Sequence, residues 1–283
     1  MNKTIRPLTT DDYPLFEAMD TGIDGDYIKL YFNRFASGAN KLYGLFVDGK
    51  LASMGGYSIF AGRYAMLGRL RSDRRFQGKS LATELMTHVR QEASEVEGIQ
   101  WVGANTEEHN QPARRVLEKI GLTSTVIQHA AIAKDVTALE HRRKVWQEVD
   151  SFERKKVWLE KVYLRDKNVF PYQCYYTFPA SEALFENEQI DRWTFYENHT
   201  QNRVVIVKHD QKRTHYLHMA YPWSDFAEQE GLWETVSMAR EDLEDRLGEE
   251  TYVWFDVPKE EATMLPEHHP FQLNSIWVLY EAK

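Results

Sequence analysis

The chain has 283 residues and a formal net charge of −8. This length allows one large core or two ordinary ones, and two domains of about 140 residues are the expected arrangement. The only cysteine, Cys174, excludes an internal disulfide framework and a zinc site built on several cysteines. There is no apolar run of about 18 residues, and we therefore expect a soluble, cytoplasmic protein with no membrane partner.

Charge is distributed unevenly along the chain. Residues 1–134 are mildly basic, whereas residues 135–283 carry a large excess of acids. The acidic half argues against nucleic acid as a partner. Solubility alone explains such an asymmetry in many proteins, but the basic half is where an anionic ligand would bind.

Hydrophobic periodicity predicts a mixed α/β sheet for the first half of the chain. In order, we expect a strand at residues 4–8, helices at 10–19 and 26–35, strands at 42–47, 51–59 and 63–70, a helix at 81–93, a strand at 99–104, a helix at 110–120 and a strand or pair of strands at 124–133. Asp48-Gly49 is a strong hairpin signal between two of these strands.

The second half repeats this order in weaker form. The densely charged residues 137–160 predict one or two connecting helices. Beyond them we expect a helix at 181–188, strands at 192–197, 204–208 and 214–220, a long helix around 232–247, a strand at 251–257, a stunted helix at 259–265 and a strand at 274–280. The predicted domains are 1–134, a helical connector at 135–168, and 169–283, the last being either a degenerate copy of the first or an unrelated α+β domain.

The most informative segment joins the strand at 63–70 to the helix that begins at Leu81. Residues 63–79 contain six basic residues and one acid. Gly78 and Ser80 allow close approach to the backbone, and the first turn of a helix presents unpaired N–H groups and a positive dipole end. A strand, a small-residue loop and a helix N-terminus in this order predict a site for a polyanionic cofactor. The structural alternative is an ordinary glycine-containing turn capped by Ser80.

Two motifs in residues 3–134 resemble the GCN5-related N-acetyltransferase (GNAT) family. The pyrophosphate motif of that family, Gln or Arg, two residues, Gly, one residue, Gly or Ala, falls on Gln77, Ser80 and Ala82, with Ser80 replacing the usual glycine. A second signature begins at Asn110 and continues in the helix that follows it. The resemblance implies the GNAT fold in the first half and acetyl-CoA as cosubstrate.

The resemblance also implies which residues bind the cofactor. The strand end would pair with the pantetheine arm and offer an N–H to the thioester oxygen, the loop amides would hold the pyrophosphate, and the next helix would line the other side. The implied residues are Leu70, Arg71, Ser72, Gln77, Gly78, Lys79, Ser80, Leu81, Ala82, Asn110 and Ala113. The acidic, lysine- and arginine-free segment 221–231 replaces this loop in the second half, which would therefore not bind coenzyme A but shape the acceptor site or stabilise the first domain.

Acetyl transfer to an amine requires a base, since most of an alkyl amine is protonated at neutral pH. The candidates are Asp73, just past the strand end, and Glu107, Glu108 and His109, in the loop after the strand at 99–104. Any one of them is equally explained as a solvated loop charge. The family's usual tyrosine acid falls on Leu117, and Tyr64 or Ser72 could replace it as the proton donor to the thiolate.

The sequence thus predicts an N-acetyltransferase that acts on a primary amine of a small molecule or peptide. A non-catalytic coenzyme A-binding or protein-interaction module is the alternative, because Leu117 cannot donate a proton. An acyl donor longer than acetyl stays open. Pairs of histidines, such as His215 and His218, lack the spacing typical of a metal site, and we expect no metal.

Overall fold

The computed structural model describes residues 2–282. They form two compact units, of which unit 1 contains the described residues up to Val126 and from Val278 onward, and unit 2 contains Ile127–Trp277. None of the helices within residues 2–282 combines the length and apolar character that a membrane crossing requires.

The elements of the first half follow the predicted order. They are β1 (Lys3–Pro7), α1 (Tyr13–Glu17), α2 (Ile28–Phe35), β2 (Asn40–Val47), β3 (Lys50–Phe60), β4 (Tyr64–Ser72), α3 (Leu81–Glu95), β5 (Trp101–Glu107), α4 (Gln111–Lys119) and β6 (Leu122–Ala133). Asp48 and Gly49 both have positive φ angles, of 47° and 80°, which is the backbone of a type I′ turn and confirms the predicted hairpin.

The second half also alternates strands and helices. Its elements are β7 (Gln147–Glu148), α5 (Phe152–Leu159), β8 (Val169–Gln173), β9 (Tyr176–Pro179), α6 (Asn187–Arg192), β10 (Thr194–Glu197), β11 (Val204–Gln211), β12 (His215–Ala220), α7 (Leu232–Leu247), β13 (Thr251–Pro258) and β14 (Gln272–Ala282). Together the two halves confirm the predicted mixed α/β fold class.

Three helix predictions in this half need correction. Only the last part of residues 137–160 is α-helical, because β7 pairs with β10 and the Val149 amide donates to Phe195 O at 2.8 Å. The predicted helix at 181–188 is a 3-10 turn followed by α6, with extended backbone at Glu186 between them. At 259–265 only the 3-10 turn Glu261–Met264 forms. Pairing with distant strands overrides local helical pattern in the first case.

Unit 1 is built on a mixed sheet. Strands β1 to β4 pair antiparallel in sequence order, and β4 pairs parallel with β5. The parallel step requires the crossover helix α3, whose apolar stripe is buried as predicted: Leu81, Leu85, Met86, Val89 and Ala93. This arrangement brings the carboxyl ends of β4 and β5 to the same edge of the sheet.

The C-terminal strand belongs in part to unit 1. The end of β14 lies between β5 and β6 in the sheet, and Thr125 Oγ1 donates to Leu279 O at 3.4 Å. Tyr280 is fully buried there and receives a hydrogen bond from Arg114 of α4 at 2.9 Å. The compact units therefore have different boundaries from the expected division at residues 134 and 168.

Unit 2 contains the same succession of strands and helix as unit 1. Strands β10, β11 and β12 pair antiparallel, α7 follows, and β13 then pairs parallel with β12. Residues of β6 extend this sheet, pairing antiparallel with β13 from Ala133↔Val253 to Gln128↔Pro258. One face of the sheet packs on α7 in a large apolar core. The two units thus share this order of elements, and the interpretation of unit 2 as a degenerate copy stays a prediction.

Candidate active site

Strands β4 and β5 diverge at their carboxyl ends. Their parallel register runs from Tyr64↔Trp101 to Leu67↔Ala104 and then stops, although β4 continues to Ser72 and β5 to Glu107. A Cβ atom built on Gly68, the first residue of β4 past this register, would meet no atom within 4 Å. The divergence therefore leaves an open cleft beside β4.

A β-bulge coincides with the divergence. The register of β4 with β3 shifts between Gly56↔Gly68 and Met54↔Arg71, so that β4 contains one more residue than β3 over this step. Arg69, within the bulge, has a φ angle of 59°. The extra residue of a bulge falls outside the regular ladder, so the pairing of β4 with β3 is locally disrupted beside the cleft.

The loop after β4 ends in an exposed helix N-terminus. Gly78 and Ser80 have φ angles of 80° and 57°, and residues 77–80 are exposed. Ser80 occupies the N-cap position of α3, but its side chain makes no capping bond. Among residues 2–282, no acceptor is found for the backbone N–H groups of Gly78 to Thr83. Six consecutive backbone donors thus remain without a protein acceptor in the described part of the chain, at the positive end of a 15-residue helix.

This donor set fits the pyrophosphate of acetyl-CoA. Phosphate oxygens accept hydrogen bonds, and the loop offers them a run of unpaired backbone donors together with the exposed ammonium of Lys79. A Cβ built on Gly78 would meet no atom within 4 Å, which leaves room for a ligand against the backbone. The partly buried Ala82, in the first turn, adds no bulky side chain.

The residues at the end of β4 are fixed by side-chain pairs. Arg71 donates to the fully buried carboxylate of Asp26 through Nε at 2.6 Å and Nη2 at 2.8 Å, and Nη1 donates to Leu70 O at 2.9 Å. Ser72 Oγ lies 3.1 Å from Ser53 Oγ on β3. The Arg71 guanidinium is therefore held by protein groups, so this residue can serve a cofactor through its backbone.

The position of Asp73 in the protein indicates a structural role. Its carboxylate is inaccessible to solvent, accepts from the Arg75 amide at 2.9 Å and pairs with the Arg75 guanidinium. The hydrogen bond from Arg75 holds the pKa of Asp73 below its ordinary value. A buried, paired carboxylate cannot reach a substrate amine, and its candidacy as general base is not supported by this geometry.

Tyr64 lies at the wrong end of β4 to protonate a thiolate in the cleft. It is buried at the first residue of the strand, with its ring 5.8 Å from that of Trp101. Four residue steps separate it from Gly68, where the cleft begins, or about 13 Å along an extended strand. Its distance from the cleft follows directly from strand geometry.

The loop after β5 holds the remaining candidate bases. His109 Nε2 lies 3.1 Å from Glu107 Oε2, and the His109 side chain is 82% exposed. Glu108 accepts hydrogen bonds on its backbone oxygen from Arg114 at 3.1 Å and Gln111 at 3.3 Å, which fixes the loop against α4. Glu107 ends β5, so these side chains lie at the same edge of the sheet as the cleft.

The start of α4 is capped by its own sequence. Asn110 Oδ1 accepts from the Ala113 amide at 3.2 Å, and Leu117 is buried with its side chain in the core. Tyr280 Oη lies against this helix instead, donating to Glu118 Oε1 at 3.2 Å and accepting from Arg114. Sequence reasoning missed Tyr280, because it reaches α4 only through the insertion of β14.

The structure thus presents a mixed α/β domain in which a run of unpaired backbone donors lies beside two diverging strands. In a comparison with known protein families, residues 3–122 match the acetyltransferase (GNAT) family. These residues are a GNAT acetyltransferase domain, and acetyl-CoA is the cosubstrate of that family.

Solved structures extend the likeness to the whole chain. A GCN5-related N-acetyltransferase from Sphaerobacter thermophilus shares 13% identity and a TM-score of 0.58 over 99% of this chain and 95% of its own. A Thermoplasma acidophilum protein assigned to the acetyltransferases shares 14% identity and a TM-score of 0.56 over 99% of both chains. At such identities the likeness establishes the fold alone. A comparison with curated proteins found no match.

Proposed function

We propose that the chain transfers an acetyl group from acetyl-CoA to a primary amine of a small molecule or peptide. The observation that carries the proposal is the run of unpaired amides from Gly78 to Thr83 beside the cleft. When bound, acetyl-CoA supplies an activated acetyl thioester. The family assignment of residues 3–122 supports this chemistry. A cytoplasmic location belongs to the same proposal and agrees with the single, free cysteine.

The first role of this chain is to bind and orient the cofactor. The amides of residues 78–82 donate to the pyrophosphate, and Lys79 adds a positive charge. The Gln77 amide is left out because it already donates to Arg74 O at 3.2 Å. The backbone of Leu70, Arg71 and Ser72 pairs with the pantetheine arm along the exposed edge of β4. A backbone N–H at the end of this strand donates to the thioester oxygen and stabilises the negative charge that develops on it during attack. Asn110 and Ala113 line the other side of the cofactor through the start of α4.

The second role is to prepare the amine. A protonated alkyl amine is not nucleophilic, and we assign its deprotonation to Glu108 or His109, directly or through water. The contact between His109 and Glu107 orients the imidazole at the edge of the sheet. Asp73 and Tyr64 are left out of this role because of their burial and their position.

The binding step is tested with Ala82→Glu. Glutamate in the first turn favours the helix, because a negative charge there complements the dipole, but it repels a pyrophosphate at the same amides. We expect calorimetry to show acetyl-CoA binding at least about tenfold weaker than to the unmodified chain. Thr87→Glu, one turn or more further along the exposed face of α3, is the matched control and should bind normally.

Equal affinity of Ala82→Glu and the unmodified chain would contradict the assigned site, and so would failure of the unmodified chain to bind acetyl-CoA. Release of free thiol with a panel of primary amines then tests turnover. Glu108→Gln and His109→Ala should lower kcat at near-neutral pH, where most of the amine is protonated, and less at high pH, where the amine is already neutral.

A non-catalytic coenzyme A-binding module is the second candidate. The buried Leu117, at the position of the family's proton donor, favours it. Binding of acetyl-CoA without thiol release across the amine panel would select this candidate over the enzyme.

A further inference from the structure

Unit 2 contains a buried cluster of polar side chains on the sheet face opposite α7. Because side chains alternate along a strand, Lys208 and Asp210 of β11, His218 of β12 and Asp256 of β13 point away from the apolar core. Lys208 and His218 are direct cross-strand partners. Cys174, between β8 and β9, lies over this face and is fully buried.

His218 occupies the centre of the cluster with one ring nitrogen unused. Its side chain is inaccessible to solvent, and its Nε2 lies 2.7 Å from Asp256 Oδ2. Within residues 2–282, its Nδ1 is buried and has no hydrogen-bond partner. A buried polar atom without a partner is costly and calls for an explanation. A ligand that binds to the free electron pair of Nδ1 would explain why this buried atom has no hydrogen-bond partner among the described residues.

Two further donor atoms surround the histidine. One ligand atom each of Cys174, Asp210 and His218 lies within 4.8 Å of the other two. Tetrahedral zinc, with bonds of about 2.0–2.3 Å, places its ligand atoms roughly 3.3–3.7 Å apart, so the three groups need to approach by about 1 Å. The Asp210 side chain is 15% exposed, which gives an ion a route from the surface. The ammonium of Lys212, 3.2 Å from Asp210 Oδ2, has to move aside when the ion binds.

We propose that Cys174, Asp210 and His218 bind one Zn²⁺ ion in unit 2. Thiolate, imidazole and carboxylate form a donor set that suits zinc better than magnesium or calcium, which prefer oxygen ligands alone. Asp256 acts as a positioning residue, since a carboxylate on the far nitrogen of a metal-binding histidine fixes its tautomer and orientation.

Binding proceeds with loss of the thiol proton. Burial raises the pKa of the Cys174 thiol, and the nearby Asp210 carboxylate raises it further. The Cys174 amide donates to Asp210 Oδ2 at 2.7 Å. The ion forms a bond to Sγ while the thiol proton leaves to solvent, so one proton is released per bound ion by this ligand. Lys208 lies outside the donor set, because its ammonium donates to the backbone oxygens of Pro171 and Tyr172.

The first test uses the full chain and added metal salts. After equilibration with zinc chloride and buffer exchange, elemental analysis should find about one zinc per chain. With Co²⁺ as a probe, a thiolate-to-cobalt charge-transfer band should appear together with tetrahedral d–d bands. Cys174 is the only cysteine of the chain, so the thiolate band identifies Cys174 as a ligand of the cobalt ion without any substitution. Less than about one tenth of a zinc ion per chain, or a cobalt spectrum without a thiolate band, overturns the proposal.

Variants then assign the other ligands. His218→Gln should lose the cobalt d–d bands of the tetrahedral site, whereas His199→Gln, an exposed histidine in the same unit, should keep them. Asp256→Asn should retain the site but weaken zinc binding by about 10–100-fold. Circular dichroism checks that each variant is folded. Unchanged zinc affinity of a folded His218→Gln protein contradicts the assignment.

Discussion

The buried pair between Asp26 and Arg71 should contribute strongly to the stability of unit 1. The Asp26 carboxylate is inaccessible to solvent, and the Arg71 side chain is 13% exposed. Besides two bonds from the guanidinium, the carboxylate accepts from the Ile28 amide at 3.0 Å, at the start of α2. Asp26→Ala therefore removes a cap and leaves a mostly buried guanidinium without its carboxylate.

The expected loss is about 3 kcal/mol. Breaking a buried ion pair by removing one partner costs about 3–5 kcal/mol, and a lost cap adds about 1 kcal/mol. Arg71 retains Leu70 O as an acceptor and a face contact with the Tyr27 ring at 5.7 Å, which reduces the total of about 4–6 kcal/mol to about 3 kcal/mol. Burial raises the pKa of Asp26, but the bonds from Arg71 outweigh it and leave the pKa below its ordinary value.

Equilibrium urea unfolding, followed by far-UV circular dichroism, measures this loss. Seven of the eight tryptophans lie beyond residue 126, so tryptophan fluorescence would report mainly on unit 2. Hydrogen exchange of α2 peptides supplies the local readout. In a double-mutant cycle with Arg71→Met, the two changes together should cost at least about 2 kcal/mol less than their sum.

The partly exposed pair of Arg6 with Asp12 is the matched comparison. Arg6 is 45% exposed, so Asp12→Ala should cost less than Asp26→Ala. A cost below about 1 kcal/mol for Asp26→Ala, or simple additivity with Arg71→Met, would refute the reasoning from burial.

Three further outcomes are expected. Hydrogen bonding from Arg6 lowers the pKa of Asp12 to about 2. This carboxylate therefore stabilises the fold above about pH 4, and the stabilisation is lost as the pH falls through about 2. The melting temperature of Asp12→Asn should change less over this pH range than that of the unmodified chain. Tyr280→Phe removes two hydrogen bonds to α4 and should lower the free energy of unfolding by about 1–2 kcal/mol in urea titration. A Cβ on Gly56 would lie 1.9 Å from a backbone oxygen of β2. Gly56→Ala should therefore lower the free energy of unfolding by about 1–3 kcal/mol in the same assay. Gly68→Ala is the control and should lower it far less, because a Cβ on Gly68 meets open space.

Local sequence predicts much of unit 1 because the relevant signals lie close together in the chain. The Asp48-Gly49 turn, the apolar stripe of α3 and the strand–loop–helix order around Gly78 all depend on residues within a few positions of one another. The structure confirms these elements. The assignment of individual cofactor-binding residues stays a proposal.

The remaining features depend on contacts between distant segments. Asp73 looked like a free loop carboxylate, but its burial against Arg75 depends on how the turn packs beneath the sheet. Likewise, no periodicity connects Cys174 with His218, which a hairpin and a strand bring together. Their spacing along the chain carries no metal motif, and the expectation of no metal came from that spacing alone.

The insertion of residues 278–282 into unit 1 has a consequence for biosynthesis. During translation, residues 2–126 emerge first but lack the strand that separates β5 from β6 until all of residues 127–277 have followed. Until then, both strands present unpaired edges, which favour aggregation and recruit chaperones. The nascent acetyltransferase domain should therefore mature only after translation has passed residue 282, with its final assembly delayed by the synthesis of the second unit.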